Sequence, residues 1–211
     1  MIKLKANENA LIITDIQNDF CPGGALAIAG GDQTIPIINR ISGKFYKVVA
    51  TQDWHPPDHL SFAANHGGKK EYDTIDLNGI EQVLWPVHCV QGSPGAAFHR
   101  DLDLRRIHLT IRKGVHRGID SYSTFRENDK KTPTGLDGYL KGLGISQVFL
   151  TGLATDYCVF YSAMDATEFG FDVYLILDAC RGVGVPEGSI EKALKTLRQN
   201  HVKIIESTQL S

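Results

Sequence analysis

No apolar run in the chain is long enough to cross a bilayer, and there is no basic surplus. Lys and Arg number 22 against 24 Asp and Glu, a formal net charge of -2 at pH 7. That balance lacks the positive footprint of a nucleic-acid or anionic-membrane binder. Met1 to Lys5 contain no apolar signal-peptide core, so the expected compartment is the cytoplasm. Cysteine is scarce and unpatterned. Cys21, Cys89, Cys158 and Cys180 include no Cys-x-x-Cys pair and are expected as reduced thiols. Repeats, low-complexity tracts and linker-like stretches are also missing. With 211 residues and 42% hydrophobic content, the expectation is one domain over 1–211.

What is present is alternation. Apolar, β-rich runs occur at 10–15, 46–51, 107–112, 148–151, 172–177 and 202–205. Helical patterns occupy about 32–42, 134–143, 156–169 and 186–200. This order predicts an α/β fold: a doubly wound three-layer sandwich, with a mostly parallel sheet of about six strands and helices on both faces. A polar excursion at about 54–98 interrupts it. Loops of that length inside a domain are usually functional.

Asp15, Asp53, Lys113, Gly152 and Asp178 close predicted strands. In a parallel sheet those ends share one edge, where ligands bind. Cys158 falls in the first turn of the helix after Gly152, with Thr155 or Asp156 as its cap. The helix dipole there favours thiolate. Taken singly, each residue has a plainer reading: Cys158 as a small hydrophobe, Asp15 as a turn cap, Lys113 as a solvated lysine. Taken together on one edge, they form a nucleophile, a base and a cation.

In Asp53-Trp54-His55, residues two apart in an extended segment point the same way. A carboxylate and an imidazole can then share a metal ion, with His88 as a third ligand. His59 and His66 are further candidates; the plainer reading is a set of surface histidines. Cys89, beside His88, points to zinc if its sulfur faces the same way. Cys21 has no charged partner nearby in sequence and reads as inert.

The longer motifs are Asp15-Ile16-Gln17-Asn18-Asp19-Phe20, Pro22-Gly23-Gly24 with Leu26, and Thr51-Gln52-Asp53-Trp54-His55-Pro56. They continue with Ser61-Phe62-Ala63, Trp85-Pro86-Val87-His88-Cys89-Val90, Arg112-Lys113-Gly114 and Gly152-Leu153-Ala154-Thr155-Asp156-Tyr157-Cys158-Val159. Through these, nearly end to end, the chain resembles the nicotinamidases of the isochorismatase-like cysteine hydrolase superfamily. The Asp-Trp-His segment and Trp-Pro-x-His-Cys are the most specific parts of the match.

The resemblance implies hydrolysis of nicotinamide to nicotinate and ammonia in NAD salvage, with pyrazinamide as a further substrate. It implies Cys158 as nucleophile, Asp15 as base and Lys113 as charge partner, with Ala154 and Cys158 N–H groups as oxyanion hole. It implies one divalent ion on Asp53, His55 and His88, touching the pyridine nitrogen. Zinc is the first expectation, with iron or manganese as alternatives. His59, Ser61 or water would complete the shell. Phe20, Leu26, Trp85 and Tyr122 are implied as pocket walls, and the Leu153–Ala154 peptide as cis. The partner is a small molecule, with no nucleic acid or membrane, and a homo-oligomer is compatible with the sequence. Two rival readings remain. One is a metal-free isochorismatase-like or N-carbamoyl amide hydrolase, and the other a non-catalytic binding protein on the same fold.

Overall fold

The computed structural model describes residues 1–211. Strand β1 (Asn9–Thr14) is buried at all six positions, because both faces of its sheet are covered. The other strands are β2 (Lys47–Asp53), β3 (Thr74–Leu77), β4 (Ile80–Val83), β5 (Leu109–Lys113), β6 (Gln147–Leu153), β7 (Asp172–Arg181) and β8 (Lys203–Ile205). The helices are α1 (Ile35–Ser42), α2 (Leu136–Gly142), α3 (Cys158–Glu168) and α4 (Ser189–Gln199).

Alternation along β1 sorts its side chains into two cores. Leu11 and Ile13 join Ile35, Ile38 and Ile41 of α1 on one face. Ala10 and Ile12 join Leu140 of α2, Val159 and Ala163 of α3 and Leu197 of α4 on the other. The sheet order is β5-β2-β1-β6-β7-β8, and every neighbouring pair is parallel. The predicted three-layer fold is therefore present. No helix is long and apolar enough to cross a membrane.

From β1 the chain winds outward to β2 and β5, then returns to place β6 on the opposite side of β1. That reversal opens a crevice at the carboxyl ends of β1 and β6. Gly152 of β6 lets the two backbones close up there. Its φ is +104°, and a Cβ would sit 2.0 Å from the Thr14 carbonyl oxygen.

Three expectations need correction. The 54–98 excursion is not all loop, since β3 and β4 pair as an antiparallel hairpin. Asn78 and Gly79 at its tip both have positive φ, an Asn-Gly turn signal that is legible in the sequence. Asp178 lies inside β7, which continues to Arg181 after a register shift opposite Leu150 and Gly152. Its carboxylate accepts the Ser207 N–H and hydroxyl and does not close the strand. Finally, α4 starts at Ser189, not near Pro186.

Candidate active site

β6 ends at Leu153, the Leu153–Ala154 peptide is cis, and a turn closed by the Tyr157 N–H on the Ala154 carbonyl (3.1 Å) follows. Cys158 is then the first residue of α3. Neither Thr155 nor Asp156 caps this helix; Tyr157 holds the cap position without a side-chain bond. Asp156 instead accepts the N–H groups of Val183 and Gly184, each at 2.9 Å, and the Ser189 hydroxyl. Val183 and Gly184 lie in the connection from β7 to α4 and Ser189 opens α4, so their demand is invisible in local sequence. The N–H groups of Ala154 and Cys158 have no protein acceptor, and both residues line one pocket.

Lys113, at the end of β5, reaches across β2 toward β1 and β6. Its ammonium is fully buried, 2.9 Å from Asp15 Oδ2 and 3.5 Å from Cys158 Sγ. It also donates to Asp53 Oδ1 and to the Ser121 carbonyl. Burial opposes its charge, but Asp15, Asp53 and the Cys158 sulfur outweigh that and hold its pKa well above the ordinary lysine value. Asp15 leaves β1 with φ +51°, a left-handed conformation that Asp tolerates better than most residues. Its Oδ1 accepts the Thr51 hydroxyl at 2.6 Å. Burial pushes its pKa up against the pull of Lys113.

Polar atoms of Asp15, Asp53 and Cys158 all lie within 4.8 Å of one another. The helix start was expected to lower the thiol pKa, and here the structure differs. Burial, reinforced by Asp15 and Asp53, pushes Cys158 well above the ordinary thiol value, with Lys113 pulling the other way. Desolvation of the buried sulfur thus works against the thiolate that a helix start favours.

Asp53, His55 and His88 converge as well. His55 Nε2 and His88 Nε2 lie 3.6 and 3.8 Å from Asp53 Oδ2. Each histidine places Nδ1 on a carbonyl oxygen, Gly114 at 2.9 Å and Pro86 at 2.8 Å. A carbonyl only accepts, so Nδ1 carries a proton and Nε2 is the nitrogen turned toward Asp53. The separations exceed hydrogen-bond length and suit the edge of a tetrahedron, about 3.4 Å for bonds of about 2.0–2.1 Å. Backbone carbonyls orienting the rings are the usual outer partners of metal-bound histidine. Burial works against ionisation of Asp53, but Lys113, His55 and His88 keep it well below the carboxylate range. The residues therefore fit one divalent ion.

His59 packs beside His55, with ring centroids 4.4 Å apart, and its ligand atom lies within 4.8 Å of those of His55 and Asp120. Its Nδ1 accepts the Ser61 N–H (3.1 Å) and contacts the Ser61 hydroxyl (2.7 Å), while Nε2 meets the Ile119 carbonyl (3.2 Å). His66 is tied to the Leu60 carbonyl. Cys89 is buried in the apolar core with Leu26 and Trp85, outside the group of converging ligands.

Phe20, Leu26, Trp85 and Tyr122 line the pocket above Cys158. Trp85 Nε1–H donates to the Tyr122 hydroxyl at 3.1 Å, and its ring meets Tyr157 edge-on at 4.8 Å. Ile28, Tyr157, Val183 and Asp120 complete walls that sequence reasoning does not assign. Of these, only Tyr157 carries a signal, as the neighbour of Cys158.

Residues 9–209 match the isochorismatase domain family. The chain is 50% identical over 206 residues to the nicotinamidase of Acinetobacter baylyi, covering 98% of this chain and 96% of that one. Among solved structures, an Acinetobacter baumannii nicotinamidase and pyrazinamidase superposes with a TM-score of 0.95 at 51% identity, covering 97% and 99% of the two chains. The pyrazinamidase of Pyrococcus horikoshii, solved in complex with zinc, superposes at 0.77 with 37% identity, covering 94% and 99%. The chain belongs to the nicotinamidases of the isochorismatase family.

Proposed function

We propose that this protein hydrolyses nicotinamide to nicotinate and ammonia through a thioester on Cys158, and deamidates pyrazinamide in the same way. The reading treats 1–211 as one catalytic domain of cytoplasmic NAD salvage. The observation that carries it is the sharing of Asp53 between Lys113 and the two histidines. One carboxylate joins the hydrolytic groups to a seat able to read a ring nitrogen.

Cys158 gives its proton to Asp15 as the sulfur attacks the carboxamide carbon. Lys113 stabilises the sulfur anion, and its grip on Asp15 Oδ2 keeps the base beside the thiol. The oxyanion falls to the free N–H groups of Ala154 and Cys158; one such donor is worth about 10²–10³ in rate. Collapse breaks the C–N bond, and protonated Asp15 returns its proton to the departing ammonia. Water then attacks the thioester with Asp15 as base, releasing nicotinate and the thiol. Asp53, His55 and His88 would hold a divalent ion, zinc first with iron or manganese as alternatives. When bound, it supplies a Lewis-acid contact for the pyridine nitrogen. Phe20 and Trp85 enclose the ring and keep bulk water out.

A metal-free relative needs the hydrolytic groups but not three ligands aimed at one point. The deciding measurement is ammonia release from nicotinamide against benzamide. A kcat/KM at least 100-fold higher for nicotinamide is expected. Equal values would overturn the ring-nitrogen reading.

A further inference from the structure

We infer that Asp19 is a positioning residue for the cation seat, fixing His88 by holding the backbone of Cys89. The inference rests on reading Asp53, His55 and His88 as that seat. Asp19 touches no reacting atom. It lies in the short turn Asn18–Phe20 after β1, 70 residues before the Cys89 N–H that it holds.

Four observations converge on it. Asp19 Oδ2 accepts the Cys89 N–H at 2.7 Å, and Oδ1 accepts the Ala25 N–H at 3.3 Å. Cys89 has φ +47°, a region non-glycine residues rarely occupy, so the peptide after His88 needs an external hold. Gly95 vacates the space the carboxylate fills, since a Cβ there would fall 2.1 Å from Oδ2 and 2.3 Å from Cγ. The backbone of Asp19 is itself anchored, its N–H on the Gly95 carbonyl (3.0 Å) and its carbonyl on the Leu26 N–H (2.9 Å).

The geometry links two parts of the site. Asp19 precedes Phe20, whose ring meets the His88 ring at 5.4 Å. The Leu26 N–H and the N–H beside His88 thus hang on one residue, which sets the distance between pocket wall and ligand. A carboxylate suits the task because it offers two acceptors and strengthens each bond through its charge. A histidine ligand that swings by a fraction of an ångström loses its bond to the ion, and support of this kind is typically worth about 10–100-fold in metal affinity.

The test measures zinc Kd by competition with a chromophoric chelator. It also measures iodoacetamide alkylation of Cys158 in metal-free protein. Asp19→Asn turns an amide NH₂ toward one of the two N–H donors, and a 10-fold or greater rise in Kd is expected. Gly95→Ala should act in the same direction with the carboxylate intact. In an Asp19→Ala background, Gly95→Ala should add less than twofold, because the collision is gone. Cys158 alkylation should stay within twofold of wild type throughout, which general damage to the site would not allow. A Kd within twofold of wild type in Asp19→Asn overturns the inference, as does parallel loss of Cys158 alkylation. If wild-type protein binds no zinc, iron or manganese, the seat itself falls, and the inference with it.

Discussion

Lys113 donates to Oδ1 of Asp53, the carboxylate whose other oxygen faces His55 and His88. The pair joins Asp15 and Cys158 on one side to His55 and His88 on the other. Both residues close adjacent parallel strands, and the register pairs Asp53 with Lys113 directly. Disturbing either one should therefore be felt at both ends.

Lys113→Met leaves Asp15 buried without a cation and removes one partner of Asp53. Removing one partner from a buried ion pair typically costs about 3–5 kcal/mol, because the remaining charge is uncompensated. A loss of that size is expected in urea unfolding, with turnover falling to background. A stability change below about 1 kcal/mol would show that the network carries little energy.

The two ends should separate by mutation elsewhere. Cys158→Ala is expected to abolish ammonia release while leaving zinc stoichiometry by elemental analysis unchanged. His88→Ala is expected to lose zinc and raise KM for nicotinamide, with the nucleophile intact. Substantial residual turnover in Cys158→Ala refutes the thioester route.

Glu127 predicts a pH effect. Its side chain is buried, its Oε2 has no partner, and burial pushes its carboxyl up to about 7. The native state keeps that proton up to about 7, whereas the unfolded chain releases it near the ordinary value of 4.5. The unfolded state binds fewer protons between those values, so this group lowers stability as pH rises through the window. Glu127→Gln removes the penalty. It should be more stable than wild type at pH 8, by on the order of 1–3 kcal/mol, with the gain shrinking toward pH 4.5. The same difference at both pH values would contradict this.

Gly152→Ala places a methyl group against the Thr14 carbonyl at a positive φ. The strands β1 and β6 must separate where Asp15 and Cys158 face each other. A loss of about 2 kcal/mol or more is expected by thermal or urea unfolding, with a fall in kcat exceeding any rise in KM. Wild-type kcat in this variant would show that the close approach is dispensable.

Much of the fold and the site is legible in the amino-acid order. Strand-end positions put Asp15, Asp53 and Lys113 on one edge, because parallel strands present their carboxyl ends together. Asp53 and His55 do converge as a period of two requires. The hairpin of β3 and β4 is faint in the sequence because its strands are four residues long and half exposed, although Asn78-Gly79 marks the turn. Strand-end reasoning misplaces Asp178 because a carboxylate after the apolar run 173–177 reads as a strand end, whereas β7 continues through it to Arg181 after a register shift.

The amino-acid order alone determined the layered fold and the family, and brought Asp15, Asp53 and Lys113 to one sheet edge, since periodicity, strand ends and motif spacing are local properties. Only the tertiary structure decided the burial of Cys158 and the pairing of Asp53 with Lys113. It also decided that His59 is tied at both nitrogens and that Asp19 fills the space beside Gly95. Burial and partner distance govern each of these, and neither exists until distant segments pack together.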